Sequence, residues 1–222
     1  MWLSLSIYES KETNMNIQTA YNEWSESYDA HQNLTRDLDA RVLREIFVNQ
    51  KFDSILETGC GTGKNTVFLA QIGQRVHALD FSQGMIEKAK AKVQAENVRF
   101  ETADLTKRWQ CEDSAYDLIV CCLVLEHIAN LNHIFSETAR TLTQGGKFFI
   151  NELHPFKQYQ GTKARFEKGT TIIEVDVFVH HISDFIHAAE GNGLKLERFD
   201  EYWHADNQGK PPRLISLLFE KA

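Results

Sequence analysis

A glycine-rich segment near the centre of the chain has the composition of a site for a small ligand. Residues 55–65 read ILETGCGTGKN, an apolar strand pattern that leads into Gly59, Gly61 and Gly63 and then into a helix pattern. Glycine allows the backbone to approach a ligand closely, and the first turn of the following helix offers unpaired N–H groups. The segment therefore predicts a loop whose backbone contacts the ligand directly.

The spacing of this loop separates three kinds of ligand. A P-loop requires GxxxxGK followed by Ser or Thr. Here the position five residues before Gly63, which must be glycine, is Thr58, and the lysine is followed by Asn65, so two required positions do not match. A dinucleotide-binding loop requires its third glycine at position 64, where the chain has Lys64. Glu57 precedes the glycines, and its carboxylate favours a ligand that carries an ammonium or sulfonium cation over one that carries a pyrophosphate.

A second acidic residue ends the next strand pattern, VHALD at residues 76–80. The two carboxylate oxygens of Asp80 can accept hydrogen bonds from both hydroxyls of an adenosine ribose. Nicotinamide-dependent enzymes share such an acid. Asp80 by itself therefore leaves two cofactor classes open, an adenosyl sulfonium compound and a nicotinamide dinucleotide.

The nine histidines include candidates for a general base. His127 and His154 follow the fourth and fifth strand patterns, and ligands of open α/β sheets lie outside the carboxyl ends of strands. His154 is the leading catalytic candidate, followed by His127 and by His181, which starts a helix pattern together with His180. The histidine and cysteine spacings match no metal-ligand pattern, so no metal site is expected.

These candidates are placed by strand patterns that alternate with helix patterns. Buried strands are predicted at residues 54–57, 75–80, 98–101, 117–122 and 147–151. Ser82 and Asn130 are suitable N-caps for two of the intervening helices. Two further helix patterns precede the first strand, and the earlier one has Tyr21, Trp24 and Tyr28 on one face. The alternation predicts an α/β fold with a doubly wound, mostly parallel sheet.

The C-terminal third departs from this alternation. A glycine-containing turn at residues 167–170, between strand patterns at 164–166 and 171–179, predicts a β-hairpin. A helix pattern then runs to Gly191, and strand patterns at 194–199 and 214–219 end the chain. We expect N-terminal cap helices in residues 1–50 and a main body in residues 51–222, with a lid insertion over about 154–181 after the fifth strand, all within one domain.

The composition is that of an ordinary globular chain. Its 222 residues carry a net charge of −7, which disfavours nucleic acid and anionic membranes as partners. The longest uncharged apolar run, residues 118–125, is far shorter than the ~20 residues of a membrane-spanning helix. The N-terminus has no secretory signal pattern, and Met15 is a candidate start. The four cysteines show no disulfide-framework spacing, so we expect a cytoplasmic protein, monomeric or homodimeric.

Taken in order, these motifs resemble those of the class I S-adenosylmethionine-dependent methyltransferases of the small-molecule type. The resemblance covers residues 53–153 well and the flanks loosely. It implies S-adenosylmethionine as the cofactor and a seven-stranded, Rossmann-like sheet whose last strand is antiparallel. The segment YNEWSESYD at residues 21–29 is similar to the N-terminal cap helix of this family.

The resemblance also implies roles for individual residues. Glu57 and the three glycines match the motif that holds the methionine part of the cofactor, and Asp80 matches the ribose position. Phe81 or Met85 would lie against adenine, and Asp104 with the next backbone amide would read the adenine edge. One aromatic residue of the cap helix is expected to contact cofactor or substrate. The implied cofactor-binding residues are Glu57, Gly59, Gly61, Gly63, Asp80, Phe81, Met85, Asp104, Leu105, Tyr21, Trp24 and Tyr28.

The expected activity is in-line transfer of a methyl group to a small, apolar or aromatic acceptor. Aromatic residues near the expected mouth favour such an acceptor, namely Trp24, Phe156, Tyr159, Phe166, Tyr202 and Trp203. A general base is needed only if the acceptor must lose a proton. Two alternatives stay open, a nicotinamide-dependent oxidoreductase and a protein that binds the adenosyl cofactor without catalysis.

Overall fold

The computed structural model describes residues 16–30, 32–163, 165–168, 171–175, 177–205 and 209–222, with backbone alone for 165–168 and 171–174. The candidate start Met15 lies outside these ranges. The helices are α1 (Ile17–Trp24), α2 (Leu34–Phe47), α3 (Thr66–Ile72), α4 (Gln83–Lys92), α5 (Leu131–Thr141), α6 (Pro155–Tyr159) and α7 (Ile182–Glu190), with a 3-10 turn at Leu125–His127. The strands are β1 (Phe52–Thr58), β2 (Gly73–Asp80), β3 (Val98–Thr102), β4 (Tyr116–Cys122), β5 (Leu142–Leu153), β6 (Arg165–Lys168), β7 (Thr171–Glu174), β8 (Leu194–Tyr202) and β9 (Leu214–Lys221).

A seven-stranded sheet in the order β3-β2-β1-β4-β5-β9-β8 forms the centre of the molecule. Strands β1 to β5 are parallel, and β9 runs antiparallel to both β5 and β8. The predicted doubly wound, mostly parallel sheet with an antiparallel last strand is confirmed. Strand order reverses between β1 and β4, and such a switch point leaves a crevice at the carboxyl ends of the strands.

Helices cover both faces of the sheet because alternate strand residues point to opposite sides. On one face, α2 and α3 bury Leu43, Phe47 and Leu69 against strand residues such as Ile55 and Val120. On the other face, α5 and α7 bury Phe135 and Phe185 against Ile119, Phe148 and Leu217. Since both faces are covered, the parallel strands are apolar runs rather than alternating patterns.

Two helix starts follow the capping residues that the sequence indicates. The Ser82 hydroxyl accepts a hydrogen bond from the Met85 N–H at 3.2 Å, and the Asn130 side chain accepts one from the His133 N–H at 3.2 Å. Helix α1 is shorter than its aromatic spacing predicts, because i→i+3 bonds from Ser27 and Ala30 replace the helical pattern after Trp24. Tyr28 therefore lies on a turn and not on the helix.

The region after β5 differs most from the sequence prediction. Strand β5 begins at Leu142, because an irregularity in its pairing with β4 accommodates the glycines at 145 and 146. Helix α6, which was not predicted, starts directly after β5 with Pro155 in its first turn. The β6–β7 hairpin is antiparallel, and the second predicted strand ends at Glu174 rather than at residue 179. Ala164, Gly169, Thr170 and Asp176 of the predicted hairpin lie outside the described residues.

No helix within the described ranges has both the length and the apolar character needed to span a bilayer.

Candidate active site

A cavity of about 340 Å³, hereafter the central cavity, opens at the carboxyl ends of β1 to β4. Such crevices bind ligands in open α/β sheets. Eleven residues predicted for the site line it, namely Glu57, Gly59, Gly61, Asp80, Phe81, Met85, Asp104, Leu105, Tyr21, Tyr28 and His127. Four other predicted residues, Gly63, Trp24, His154 and His181, are described but do not line it.

The glycines of the loop have positive φ angles, but they serve different contacts. A Cβ added to Gly61 would meet no atom within 4 Å, so this backbone faces open space in the cavity. A Cβ on Gly63 would lie 2.9 Å from the Val93 side chain and 3.3 Å from the backbone of Ala89. Gly63 therefore permits α4 to pack against the loop, and the prediction that it contacts the cofactor does not match its position.

Two buried carboxylates face the cavity from the ends of neighbouring strands. Glu57, at the end of β1, is 4% exposed, and its Oε2 accepts a hydrogen bond from the Thr66 hydroxyl at 2.5 Å. Burial raises the pKa of Glu57 to about 8, and the nearby carboxylates of Asp39 and Asp80 add to the shift. The side chain can thus hold its proton at neutral pH and release it when a cation binds beside it.

Asp80 is held by the loop that it faces. Its Oδ2 accepts from the Gly61 N–H at 2.8 Å, and its Oδ1 accepts from the Ser82 N–H at 2.9 Å. Burial raises the pKa of Asp80 to about 6, against the opposing effect of these backbone hydrogen bonds. Each carboxylate oxygen has a second lone pair that can accept a hydrogen bond from a ligand hydroxyl.

Beyond Asp80, the cavity wall combines apolar and polar groups. Phe81 and Met85 line it from the start of α4, and Asp104 and Leu105 line it from the loop after β3. Asp104 accepts hydrogen bonds from the N–H and hydroxyl of Thr106. Burial acts to raise the pKa of Asp104, but these bonds outweigh it and lower the pKa. The carboxylate is therefore ionised at neutral pH and suited to accept from an N–H donor.

Helix α1 is attached to the start of α4 and closes one side of the cavity. The Asn22 side-chain oxygen accepts from the Ser82 hydroxyl at 2.7 Å and from the Gly84 N–H at 3.2 Å. The Gln18 amide donates to the Phe81 carbonyl oxygen at 2.7 Å. These bonds bring the Tyr21 ring to 5.6 Å from the Phe81 ring.

Tyr21 forms a pair with His127 at the cavity wall. The Tyr21 hydroxyl and Nε2 of His127 are 2.7 Å apart, and the two rings meet edge to face at 5.3 Å. Burial raises the pKa of Tyr21 well above its usual value, so the phenol is neutral. A carboxylate oxygen of Glu126 lies 3.8 Å from the same Nε2. The arrangement can pass a proton from the cavity to an imidazole beside an acid.

His154, the leading catalytic candidate of the sequence, is fully buried outside the cavity. Its Nδ1 accepts from the Phe156 N–H at 3.1 Å, and its Nε2 lies 2.8 Å from a Glu201 carboxylate oxygen. Burial lowers the pKa of His154, although Glu201 opposes the shift. Nδ1 caps α6 and Nε2 is paired with Glu201 of β8, so the structure gives His154 a stabilising position and no access to the cavity.

The other two predicted residues that miss the cavity are also engaged elsewhere. His181 is exposed at the start of α7, where its backbone N–H donates to Asp184 at 2.7 Å and its Nδ1 lies 2.6 Å from the Tyr159 hydroxyl. Trp24 packs edge to face against Tyr28 at 4.8 Å between ring centroids. His181 therefore caps a helix, and Trp24 packs against Tyr28, which lines the cavity, without lining the cavity itself.

Several polar residues that line the cavity were not predicted, among them Arg36, Asp39 and Asn65. Asp39 is 4% exposed and accepts hydrogen bonds from the amides of Asn65 at 2.8 Å and Asn151 at 2.6 Å. Its signal was available in the sequence, since Asp39 stands three and four residues before Val42 and Leu43 on the apolar face of α2. Arg36 has no comparable signal, because one arginine in the first turn of a helix is usually solvated.

Backbone strain also marks the cavity. Leu123, directly after β4, has a φ of 56°, a conformation that is uncommon for a residue with a branched side chain. Its N–H donates to the Asn151 carbonyl oxygen at 2.9 Å, which holds the strained residue in place. Strained residues of this kind cluster at ligand sites. Within the described ranges, no group of three or more metal-ligating side chains comes together.

The sequence shows similarity to known methyltransferases. Residues 56–150 match the family described as a methyltransferase domain. An uncharacterized methyltransferase of Emericella nidulans is 26% identical over 91% of this chain and 84% of its own length. A ubiquinone biosynthesis O-methyltransferase of Coxiella burnetii is 30% identical over 67% of this chain and 66% of its own length. A human thiol S-methyltransferase is 38% identical over 49% of this chain and 49% of its own length.

Solved structures share the fold. An S-adenosylmethionine-dependent methyltransferase of Mesorhizobium loti superposes with a TM-score of 0.69 at 18% identity, covering 85% of this chain and 100% of that one. The N-methyltransferase NodS of Bradyrhizobium japonicum, in complex with S-adenosylhomocysteine, superposes with a TM-score of 0.68 at 15% identity, covering 92% and 97%.

Proposed function

Because the chain belongs to the class I S-adenosylmethionine-dependent methyltransferases, we propose that it methylates a small apolar or aromatic molecule at a hydroxyl or thiol. The observation that carries this proposal is the Tyr21–His127 hydrogen bond at the wall of the central cavity. This pair can take the proton from an acceptor that must be deprotonated. Because the cofactor of this family is S-adenosylmethionine, the alternative of a nicotinamide-dependent oxidoreductase is not retained.

The residues around the cavity suit the cofactor. The open space at Gly61 accommodates a ligand against the backbone, and Glu57 offers a buried carboxylate to the ammonium of the methionine part. Asp80 would accept hydrogen bonds from the ribose hydroxyls, and Asp104 and the Leu105 amide would bind the adenine edge beside Phe81 and Met85. Bound S-adenosylmethionine supplies a methyl group activated by its sulfonium.

Proton removal from the acceptor uses the pair on the cavity wall. The acceptor O–H or S–H gives its proton to the Tyr21 oxygen as the Tyr21 proton moves to Nε2 of His127. The Glu126 carboxylate, 3.8 Å from that nitrogen, stabilises the imidazolium that forms. The phenol is neutral before and after transfer, in accord with its raised pKa. General-base assistance of this kind contributes roughly 10²–10⁴-fold in rate.

The rest of the acceptor is expected to contact apolar groups. Four apolar residues that line the cavity are within four positions of Tyr21 or His127 in the sequence, namely Ile17, Leu123, Val124 and Ile128. Val175, after the hairpin, packs against Ala20 of α1, so the insertion covers the same side of the molecule. The net charge of −7 disfavours nucleic acid as the acceptor. Relatives that act in ubiquinone biosynthesis and on thiols support hydroxyl and thiol acceptors.

A methyl-transfer assay with tritiated S-adenosylmethionine tests this proposal. The acceptor panel contains phenols and catechols, aryl and alkyl thiols, primary amines and a mixed transfer RNA. Labelling of a phenol or thiol, lost in Tyr21→Phe and retained in the matched aromatic variant Tyr159→Phe, is the expected result. Labelling of amines or RNA alone, or equal rates in Tyr21→Phe and the unmodified chain, would contradict it.

A further inference from the structure

Glu152, near the end of β5, is a buried glutamate that does not line the central cavity. It is 3% exposed, and its Oε1 accepts hydrogen bonds from the Val124 N–H at 2.8 Å and from the Leu125 N–H at 2.9 Å. Its Oε2 is buried without a hydrogen-bond partner among the residues that the structure describes. The contacts of this carboxyl are therefore directed at the backbone that follows β4.

This backbone is the strained connection between β4 and the 3-10 turn that carries His127. Leu123 has a φ of 56°, and its N–H donates to the Asn151 carbonyl oxygen at 2.9 Å. The N–H groups of residues 123 to 125 thus all donate to the end of β5. Successive N–H groups around a left-handed residue form a concavity that suits an anionic or carboxyl oxygen. Glu152 occupies this concavity and stabilises the strained conformation.

The residues that Glu152 holds are also those on which the turn closes. The His127 N–H donates to the Val124 carbonyl oxygen at 2.9 Å, and the Ile128 N–H donates to the Leu125 carbonyl oxygen at 3.0 Å. A displacement of the start of the turn would therefore move the His127 ring away from Tyr21.

The other side of the turn is held by the segment after the hairpin. The Nε2–H of His180 donates to the carbonyl oxygens of Leu125 at 3.1 Å and Ile128 at 2.8 Å. The Phe178 N–H donates to the Glu126 carbonyl oxygen at 2.7 Å. These bonds hold the carbonyl groups of the turn and not the N–H groups at its strained start.

We propose that Glu152 is a positioning residue for methyl transfer, whose Oε1 fixes the start of the turn so that His127 stays in contact with Tyr21. The inference rests on the proposed function, because that function makes His127 the base. Glu152 acts through the backbone of Val124 and Leu125.

The protonation of Glu152 identifies the conservative variant. Burial raises the pKa of Glu152 to about 8, with help from the Glu126 and Asp39 carboxylates and against the two backbone hydrogen bonds. An oxygen acceptor rather than a full charge therefore holds the turn at neutral pH. Glutamine has the same shape and an equivalent acceptor oxygen, whereas methionine has a similar length and only a weakly accepting sulfur.

Single-turnover methyl transfer tests the role in the reaction. Glu152→Met should lower the rate about ten- to a hundredfold, part of the contribution of a general base, with S-adenosylhomocysteine binding unchanged within about threefold. Glu152→Gln should keep most of the rate. In a His127→Ala chain, Glu152→Met should cause no further loss, since it acts through His127. A nitro-substituted acceptor that is already ionised at the assay pH needs no base and should be affected little.

A matched control separates positioning from general stability. Glu137 is also buried, and its Oε2 accepts from the Trp109 N–H at 2.8 Å, but it does not line the cavity or contact the turn. Glu137→Met should lower the melting temperature and leave the rate within about twofold. Where Glu152→Met fails to fold, Glu152→Asp, which withdraws the carboxyl by one methylene, should lower the rate in the same direction.

A second readout does not depend on activity. In ¹⁵N NMR of histidine-labelled protein, the His127 signal is identified by its loss in His127→Ala. Glu152→Met should move the Nε2 shift of His127 towards its value in Tyr21→Phe, where the hydrogen bond is deleted directly. Glu152→Gln should keep the shift of the unmodified chain.

Failure of the inference and failure of the proposed function are distinguishable. The inference is overturned if Glu152→Met keeps both the rate and the Nε2 shift of the unmodified chain. Equal losses with the ionised acceptor, or a further loss in the His127→Ala chain, would also overturn it, because the role would then be structural only. If the unmodified chain methylates no phenol or thiol, the proposed function fails, and the Nε2 shift still decides whether Glu152 holds His127 against Tyr21.

Discussion

Two histidines lie at the carboxyl ends of neighbouring parallel strands and differ in what they can do. His127, in the turn after β4, lines the central cavity and contacts Tyr21. His154, directly after β5, is fully buried with Phe156 and Glu201 on its two ring nitrogens. Position at a strand end is therefore not sufficient for contact with the cavity.

The difference comes from the chain that follows each strand. After β4, a strained residue and a 3-10 turn lead away from the sheet, and the turn places His127 towards the cavity. After β5, Pro155 starts α6 at once, so His154 becomes the N-cap and its ring stacks on Phe156 at 5.0 Å. One histidine meets the ligand site, and the other is used to start a helix.

Removal of the His127 side chain is expected to have the largest effect. His127→Ala should lower kcat about 10²–10⁴-fold, because the acceptor proton then has no base. Binding of S-adenosylhomocysteine should change little. Single-turnover methyl transfer measures the rate, with Tyr21→Phe as the partner variant and the double variant as a test of coupling. Additive effects of the two changes would show that the pair does not act as a unit.

Substitution of Asp80 tests the proposed cofactor site in the same cavity. Asp80→Ala should weaken S-adenosylhomocysteine binding roughly tenfold to more than a hundredfold, about 1.5–3 kcal/mol, because it deletes a buried acceptor of charged hydrogen bonds. Asp80→Asn, which keeps one acceptor oxygen, should lose less. Titration calorimetry gives both constants. Wild-type affinity in a folded Asp80→Ala variant would remove the ribose assignment.

The raised pKa of Glu57, about 8, predicts that cofactor binding depends on pH. Binding of an ammonium beside Glu57 favours the ionised form, so below pH 8 the proton must leave, and affinity should rise up to about tenfold per pH unit between pH 6 and 8. Calorimetry in buffers with different ionisation enthalpies would detect about one released proton at pH 7. In Glu57→Gln this release should vanish; if it persists unchanged, another group titrates.

His154 should show the smallest effect on catalysis and a measurable effect on stability. His154→Ala should leave kcat within about twofold and lower the free energy of unfolding by about 1–3 kcal/mol, because it removes a helix cap and a buried hydrogen bond. Urea unfolding and the transfer assay measure the two quantities. A large loss of kcat with normal stability would restore His154 as the base.

The lowered pKa of His154 also gives a direction with pH. The unfolded chain binds more protons at this position than the folded one, so the stability that it contributes is present above about pH 6.5 and is lost as pH falls through that value. In His154→Gln, this part of the pH dependence of unfolding should disappear. A steeper acid loss in the variant would contradict the assignment.

Local patterns in the sequence were sufficient for the sheet and for most of the loop contacts. Strand and helix periodicity predicted the alternation of elements, and Ser82 and Asn130 marked two helix starts, because capping and burial depend on residues close in the chain. The acids at the ends of β1 and β2 were also predicted, since parallel strands bring their carboxyl ends to one edge. These properties need no knowledge of distant contacts.

Tertiary structure alone decided which of the candidate side chains reach the cavity. His154 and His127 have equivalent positions in the pattern, and only the packing of α6 and α1 separates them. Gly63 and Gly61 belong to one motif, yet one faces α4 and the other faces open space. Arg36 gains its place from the Tyr28 ring eight residues earlier, on a turn that periodicity assigned to a helix. Side-chain direction depends on packing between elements distant in the chain, which short-range spacing does not encode.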